Sequence, residues 1–448
     1  MKRMILVALA AVLMLAPAAQ AQKVNKEAVL AKLEKSDADI KDAKKNGKAA
    51  TWLNRGKVYY EAASALTKDI FVGMEGVMLN MTLGKAQSVE QVALNGRTME
   101  AHKYPMITVY MEGGKVVCWT EDEVVYPNAG QVAVEAYKKA LEIDGKQAEK
   151  VKAGMKALGT YYSQLGNTCL DAAKYADAAD AYLHAYEILS NPVMGEKVDG
   201  TLLYYAGYLR TMDGSTNPES FVKGAKHLED ALAVNYVDEE GNLYYYLFHC
   251  YYGQKEADKA YLMKAKDALL AGIEKFPKND RILEGLMSLY TTEEGVGDPQ
   301  DLVAMLDGQL AAAPDNVDLW FGRGRLFYSL KNFDESIVSF KKVTELKPDM
   351  YEGWFYLGLF YTLKGDQMNN EINDRQYTSQ AAYDADLAGV NAVYREAVPV
   401  LEKALTIKEN DVDALESLKA LCFRLRDEEG MMDKYQKYNA LLQVAKGQ

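Results

Sequence analysis

The chain has 448 residues, 49% hydrophobic and 26% charged, a composition that sustains a folded core and excludes fibrous, low-complexity and disordered classes. Its formal net charge of −12 has the wrong sign for gripping phosphate backbones and argues against a nucleic-acid partner. Tyr, at 31 copies against 11 Phe and 4 Trp, suits surfaces that bury a ring while its hydroxyl stays wet.

Lys2 and Arg3 precede an apolar run over residues 4–16, and Ala19-Gln20-Ala21 places small residues at a cleavage point. This pattern predicts a cleavable secretory signal over 1–21 and a mature chain over 22–448. Pro17 interrupts the run short of the roughly 20 apolar residues that a membrane span needs. Removing Lys2 and Arg3 takes the net charge from −12 to −14. No later segment is apolar enough to span a bilayer, so the expected compartment is the periplasm, with secretion as the alternative. Cys118, Cys169, Cys250 and Cys422 allow three pairings, among which the sequence does not choose; buried thiols are the simpler expectation.

Further along, residues 106–111 and 115–120 alternate in polarity around Gly113-Gly114, which accepts the positive φ of a tight turn. A β-hairpin over 107–119 is expected. Its apolar side, including Val109 or Trp119, should pack on helices, because a lone hairpin is marginal in water. Residues 71–83, with Gly73, Gly76 and several Met, are expected to supply a helical part of the same stretch.

In the C-terminal half Trp320, Gly324 and Phe327 reappear 34 residues later as Trp354, Gly358 and Tyr361. Positions 320, 323, 324 and 327 share one helical face, and after a break near Asn332 a second face appears at Ser336, Phe340 and Val343. One unit is therefore two antiparallel helices, closed by Pro348. Residues 366–387, rich in Asn, Asp and Gln, are expected to begin as an exposed loop, and Pro399 to mark a kink or a helix start near Ala397. The end, 411–448, reads as a closing helical pair.

This unit resembles the tetratricopeptide repeat, in which large, small and aromatic residues, then small, large, small and proline, occupy these places; residues 319–348 fit well. The packing reason is that Gly324 and Ser336 let the helices approach while Trp320, Phe327 and Phe340 fill the remaining volume. Laid upstream, the same template gives first helices at Trp52, Gly56 and Tyr59, at Met155, Gly159 and Tyr162, at Leu202, Ala206 and Leu209, at Tyr244 to Tyr251, and at Leu283 to Tyr290. Second helices follow at Ala133, Ala178, Gly224 and Ala265. Phe248 and Met287 stand where the family has a small residue, which implies either splayed pairs or a register one residue away, and Gln309 stands where alanine is usual. The resemblance implies an all-α, α-α superhelix of seven units and a closing pair, with insertions at about 61–130 and 366–390 and the β-hairpin in the first repeat. Each pair leaves one face bare, which its neighbour covers.

No local pattern carries chemistry. His102, His184, His227 and His249 form no i, i+4 pair, so neither a metal site nor another cofactor is expected. There is no Gly-x-Ser-x-Gly elbow, and Gly73-Met74-Glu75-Gly76 lacks the Lys and Ser/Thr of a phosphate loop. A non-enzymatic scaffold is the expectation, and the family's usual mode implies a protein or peptide partner held by the first helices. The residues expected to face it are Lys57 and Tyr60; Tyr245, His249 and Tyr252; Phe321, Arg325 and Tyr328; and Phe355, with Arg325 and Tyr328 foremost because Arg and Tyr dominate such contacts. Lys57, Lys156, Thr160, Glu284 and Ser288 form no contiguous basic cradle for a terminal carboxylate. The alternative is a glycan-uptake or outer-membrane assembly accessory, with Trp119 or Tyr377 stacking on sugar.

Overall fold

The structure is a computed structural model that describes residues 25–195 and 197–447; the expected signal segment lies outside them. Antiparallel helical pairs follow one another as an α-helical solenoid with a β insertion in the first pair. The chain divides into two compact units, one ending at Tyr236 and the other beginning at Val237.

The first unit opens with α1 (Lys26–Lys41), a helix the sequence pattern does not announce because it buries only Leu33 and Ser36. Arg55 ties it to α2 (Ala49–Ala63) by pairing with Asp37 at 2.6 Å, and Tyr59 donates its hydroxyl to the same carboxylate at 2.8 Å. After the insertion, α4 (Ala129–Ile143) returns to pack along α2. Close approach is possible because Gly56 faces the ring of Tyr137; a Cβ there would lie 2.5 Å from it. The pairs α5 (Ala148–Asp171) with α6 (Tyr175–Leu189), and α7 (Thr201–Asp213) with α8 (Glu219–Ala233), complete the unit.

The insertion holds α3 (Gly76–Leu83) and a sheet of four antiparallel strands in chain order, β1 (Ser88–Leu94), β2 (Arg97–Lys103), β3 (Ile107–Glu112) and β4 (Lys115–Glu121). The expected hairpin is its second half. The first half escapes the polarity test because Met99 alone is buried in β1 and β2. Its turn, Asn95-Gly96 at φ 50 and 74, is nevertheless the left-handed pair that a two-residue hairpin requires. Between β3 and β4 the register passes from Tyr110 opposite Cys118 to Met111 opposite Val116. The extra residue, Val117, turns Val116 and Trp119 to the same face. Both join Ile107, Val109 and Met111 in a core shared with Ile70, Met74 and Leu79, so the sheet's apolar side is covered mainly by the insertion itself.

A polar knot sits among α6, α7 and α8. Arg210 is buried, pairs with Asp180 and donates to Ser220 Oγ at 3.2 Å, and Ser220 donates to Asp213. His227 is buried beside them with neither ring nitrogen hydrogen-bonded. Burial and the Arg210 guanidinium hold its pKa below the usual histidine value, against weaker pulls from Asp180, Asp230 and Glu187. A histidine kept neutral in the fold and protonated in the unfolded chain costs stability as pH falls through its ordinary value of about 6.5. His227→Leu should therefore flatten the loss of urea stability between pH 7 and pH 5; an unchanged pH profile would dismiss this histidine as a source of acid sensitivity.

The second unit contains α9 (Asn242–Tyr252) with α10 (Ala260–Lys275), α11 (Asp280–Thr292) with α12 (Pro299–Ala312), α13 (Val317–Ser329) with α14 (Phe333–Leu346), α15 (Tyr351–Asp374) with α16 (Gln380–Ile407), and α17 (Val412–Arg424) with α18 (Met431–Ala445). As expected, Gly324 lies under Phe340, where a Cβ would meet the ring at 2.4 Å. The tryptophans do more than fill volume. Trp52, Trp320 and Trp354 are only partly buried, and each donates its indole N–H to a carbonyl six residues earlier, on Asn46, Pro314 and Pro348, at 2.7, 2.8 and 2.9 Å. They pin the entry to the helix.

Of the two departures expected to splay a pair, one does. Helices α11 and α12, with Met287, approach at few points, whereas α9 and α10 pack along their lengths because Gly272 receives Tyr244, whose Cβ is 2.7 Å from the position a Cβ would take. Gln309 is left with a buried, unpaired Oε1. The stretch at 366–390 is not a loop. Helix α15 continues to Asp374 and α16 starts at Gln380, capped by Ser379, so only a short turn separates them. One apolar stripe is enough to hold a helix with polar remaining faces: Ile372 and Val390 are buried, and Tyr394 lies over Gly365. Pro399 sits inside α16 and neither starts nor ends it.

Candidate functional site

The first helices of the second unit present a face of aromatic rings tied together by charge. On α9, Tyr245 meets His249 edge-on at 4.4 Å between centroids, and burial lowers the pKa of that histidine. One turn on, Tyr252 donates to Glu293 at 2.7 Å beneath the Lys255 ammonium, which lies 4.1 Å from its ring centroid. Arg281, on α11, donates to Tyr246 Oη at 3.1 Å.

Arg325 is the centre of the face. Its Nε donates to Asp280 at 2.8 Å, and its guanidinium carbon lies 5.3 Å from the Tyr328 ring centroid and 5.0 Å from that of Tyr356. The side chain keeps only 15% of its exposure, whereas Tyr328 keeps 37%. A guanidinium held between rings and fixed by a carboxylate spends little entropy on meeting a ligand. Phe355 is half-buried and stacks on Tyr351 at 5.7 Å, whose hydroxyl is donated to Asp411.

Phe321 does not belong to this surface. It is 4% exposed, packed edge-to-face on Phe340 at 5.0 Å and on Tyr356 at 5.5 Å. The residue that follows the repeat's tryptophan points into the seam between α13 and α15, so it cements neighbouring pairs. Tyr356, which counting from Trp354 does not select, takes the accessible role beside Arg325. The Asp280–Arg325 pair spans 45 residues and leaves no local trace in the sequence.

Lys57 and Tyr60 lie in the first unit. Lys57 is exposed and 3.9 Å from Glu61. Tyr60 lines a groove of about 880 Å³ between the insertion and α5, together with Phe71, Met78, Trp119, Lys156 and Tyr161. Behind it the Tyr161 hydroxyl donates to Glu121 at 3.0 Å, and burial pushes that carboxyl up to about 7. The two aromatics considered for sugar stacking are otherwise engaged. Trp119 is buried in the insertion's core, and Tyr377 donates to Asp386 at 2.8 Å with its ring against Tyr383.

All four cysteines are buried free thiols; burial raises Cys118 and Cys169 to about 12, far from thiolate reactivity. Among the described residues no group of three or more His, Cys, Asp or Glu side chains could hold a metal ion, and no helix is long and apolar enough to cross a membrane.

Several solved structures are similar. A TPR repeats protein from Bacteroides fragilis is 18% identical, over 59% of this chain and 97% of that one, with a TM-score of 0.27. The C-terminal part of a TPR repeat-containing protein from Cytophaga hutchinsonii is 14% identical, over 62% and 98%, with a TM-score of 0.27. A tetratricopeptide repeat protein from Parabacteroides merdae is 17% identical, over 54% and 98%, with a TM-score of 0.22. A search of curated proteins finds no match. The tetratricopeptide repeat family profile matches residues 317–350, the span of α13, α14 and the turn that follows. With Gly324 beneath Phe340 and Trp320 pinned to Pro314 in that span, residues 317–350 form a tetratricopeptide repeat.

Proposed function

We propose that this chain is a non-enzymatic scaffold of the cell envelope, exported to the periplasm, that holds a protein or peptide partner along the first-helix face of its second unit. The observation that carries the reading is Arg325, locked by Asp280 between Tyr328 and Tyr356. Arg and Tyr are the residue types that concentrate binding energy at interfaces, and here they are pre-organised and partly open to solvent. The family's repeat is itself an interaction module. The chain's negative charge makes a neutral or basic partner easier to accommodate.

The test places a photo-crosslinking amino acid at Tyr328 and, as a control, at Val338, an exposed position on the second helix of the same repeat. In intact cells an adduct of defined mass should form from 328 and not from 338. The double variant Arg325→Ala/Tyr328→Ala should lose that partner by about 2 kcal/mol or more while melting as the parent does. Equal adducts from both positions, or undiminished capture by the double variant, would remove this face from consideration. Fractionation of cells that express the full chain tests the compartment: recovery in the periplasmic fraction is expected, and recovery with the cytoplasm would refute export.

A further inference from the structure

The sheet of the insertion is covered along the start of one edge and bare along the other. At β4, Gly73 donates its N–H to the Val116 carbonyl at 2.7 Å, Val116 donates to Met74 at 2.9 Å and Gly76 to Gly114 at 3.0 Å, so residues 73–76 cap that strand. At the opposite edge β1 is hydrogen-bonded to β2 alone among the described residues. Successive residues of a strand direct their backbone groups to alternate sides, so every second N–H and C=O of β1 points away from the sheet.

Exposed edges usually carry Lys, Pro or a bulge that discourages pairing. Strand β1 has none of these. Its only charge is Glu90, and its register with β2 runs unbroken from Ser88 opposite Lys103 to Leu94 opposite Arg97. Val89 is 53% exposed, and Gln91 and Ala93, on the same face, are exposed as well. A row of outward amides and carbonyls fits one chemistry, an extended strand, and the sequence of β1 matches its own. Paired antiparallel with itself, β1 engages all seven residues only about an axis at Gln91. Val89 then faces Ala93 of the second copy, Gln91 faces Gln91, and Glu90 faces Val92, so no like charges meet. An axis at Glu90 would oppose two carboxylates, and an axis at Val92 would leave two residues of each strand unpaired. A slip of one residue would set the exposed face of one copy beside the inner face of the other.

We infer that β1 of one molecule pairs antiparallel with β1 of a second copy about a two-fold axis at Gln91, which joins two four-stranded sheets into one of eight strands. The interface is isologous: each copy gives and receives the same strand, and the assembly closes at two. It is built from the insertion and uses none of the helices that carry Arg325 and Tyr328, so it stands apart from the partner-binding face.

The test is disulfide mapping on the full-length chain. Cα atoms directly opposite in an antiparallel pair are about 4.5–5.5 Å apart, within the span that a disulfide bridges. Position 93 of one strand and position 93 of its mate would be roughly 14 Å apart. Gln91→Cys should therefore form a covalent dimer in oxidised glutathione, read by non-reducing electrophoresis, and Ala93→Cys should not. The four native thiols are buried and should not contribute. Sedimentation should show a parent dimer that dissociates on dilution. Val89→Lys/Ala93→Lys, which sets lysine against lysine, should raise the dissociation constant by about tenfold, and Val89→Glu/Ala93→Lys, which sets opposite charges in the same register, should restore it. Both positions are exposed, so the charge variants should melt as the parent does. A parent that sediments as a monomer at every concentration, equal linking at 91 and 93, or equal dissociation constants for the two charge variants would overturn the inference. So would linkage of Gln91→Cys in cells to a different protein in place of a second copy. None of these outcomes bears on capture at Tyr328.

Discussion

Gly322→Ala should unfold the second unit at markedly lower urea concentration than the parent, a loss of about 3 kcal/mol or more. The reason is a backbone wall. A Cβ at Gly322 would stand 2.1 Å from the carbonyl oxygen of Pro277 and 2.9 Å from its carbon. Unlike the tip of a flexible side chain, this obstacle is main chain with its φ locked by the proline ring. Helix α13 must then move away from the turn between α10 and α11, and with it Phe321, which fills the seam toward Tyr356. The control is Gly308→Ala on α12, where nothing lies within 4 Å of a Cβ; there the same chemical change should stabilise by up to about 1 kcal/mol through helix propensity. Matching urea midpoints for the two variants would show that α13 is not held against Pro277.

Glu121→Gln should make the protein more stable, by a margin that opens as pH rises from about 4.3 toward about 7 and persists above it. Burial holds the carboxyl proton in the fold up to about 7, with the hydroxyl of Tyr161 pulling the other way. The unfolded chain releases that proton near the ordinary value for glutamic acid, about 4.3. Between the two values the fold binds a proton that unfolding sets free, so the stability present at pH 4 is lost as pH rises toward and through 7. At about 1.4 kcal/mol per pKa unit, the loss is of the order of 3 kcal/mol by pH 8. Glutamine keeps an oxygen that accepts from Tyr161 and has no proton to lose. Chemical denaturation at pH 5 and pH 8 should show a gap between variant and parent that opens with pH. A gap that stays constant would mean that the carboxyl ionises in the fold as freely as in water.

The two predictions differ in how far the sequence could have foreseen them. Gly324 was legible, because the repeat recurs at 34 residues and the template demands a small residue there. Gly322 was not, because its neighbour Pro277 lies 45 positions away and belongs to an earlier pair. Glu121 closes a strand whose alternation predicts half of a hairpin, but nothing in its neighbourhood names Tyr161 as its cover. The same division runs through the candidate site. Arg325 and Tyr328 were found by counting from Trp320, whereas Asp280 and Tyr356, which hold Arg325 in place, come from other helices. Phe321 shows the limit of counting: one step along a helix is a rotation of about 100°, and a small change in how neighbouring pairs lean decides whether that direction meets solvent or a ring.

By itself the sequence determined the succession of helical pairs, the existence and second half of the β insertion, and the absence of any local catalytic or metal-ligating motif. These are properties of spacing: a 3.6-residue stripe, a two-residue alternation and a recurring glycine each act over a few neighbours. The tertiary structure alone decided that residues 366–390 extend two helices, that Trp320 and Trp354 pin turns, and that Phe321 is buried. It also decided that Tyr60 and Lys156 line one groove with residues of the insertion. Each of these depends on surfaces that meet only after stacking, when the free energy of covering one pair's bare face is supplied by residues far away in the chain.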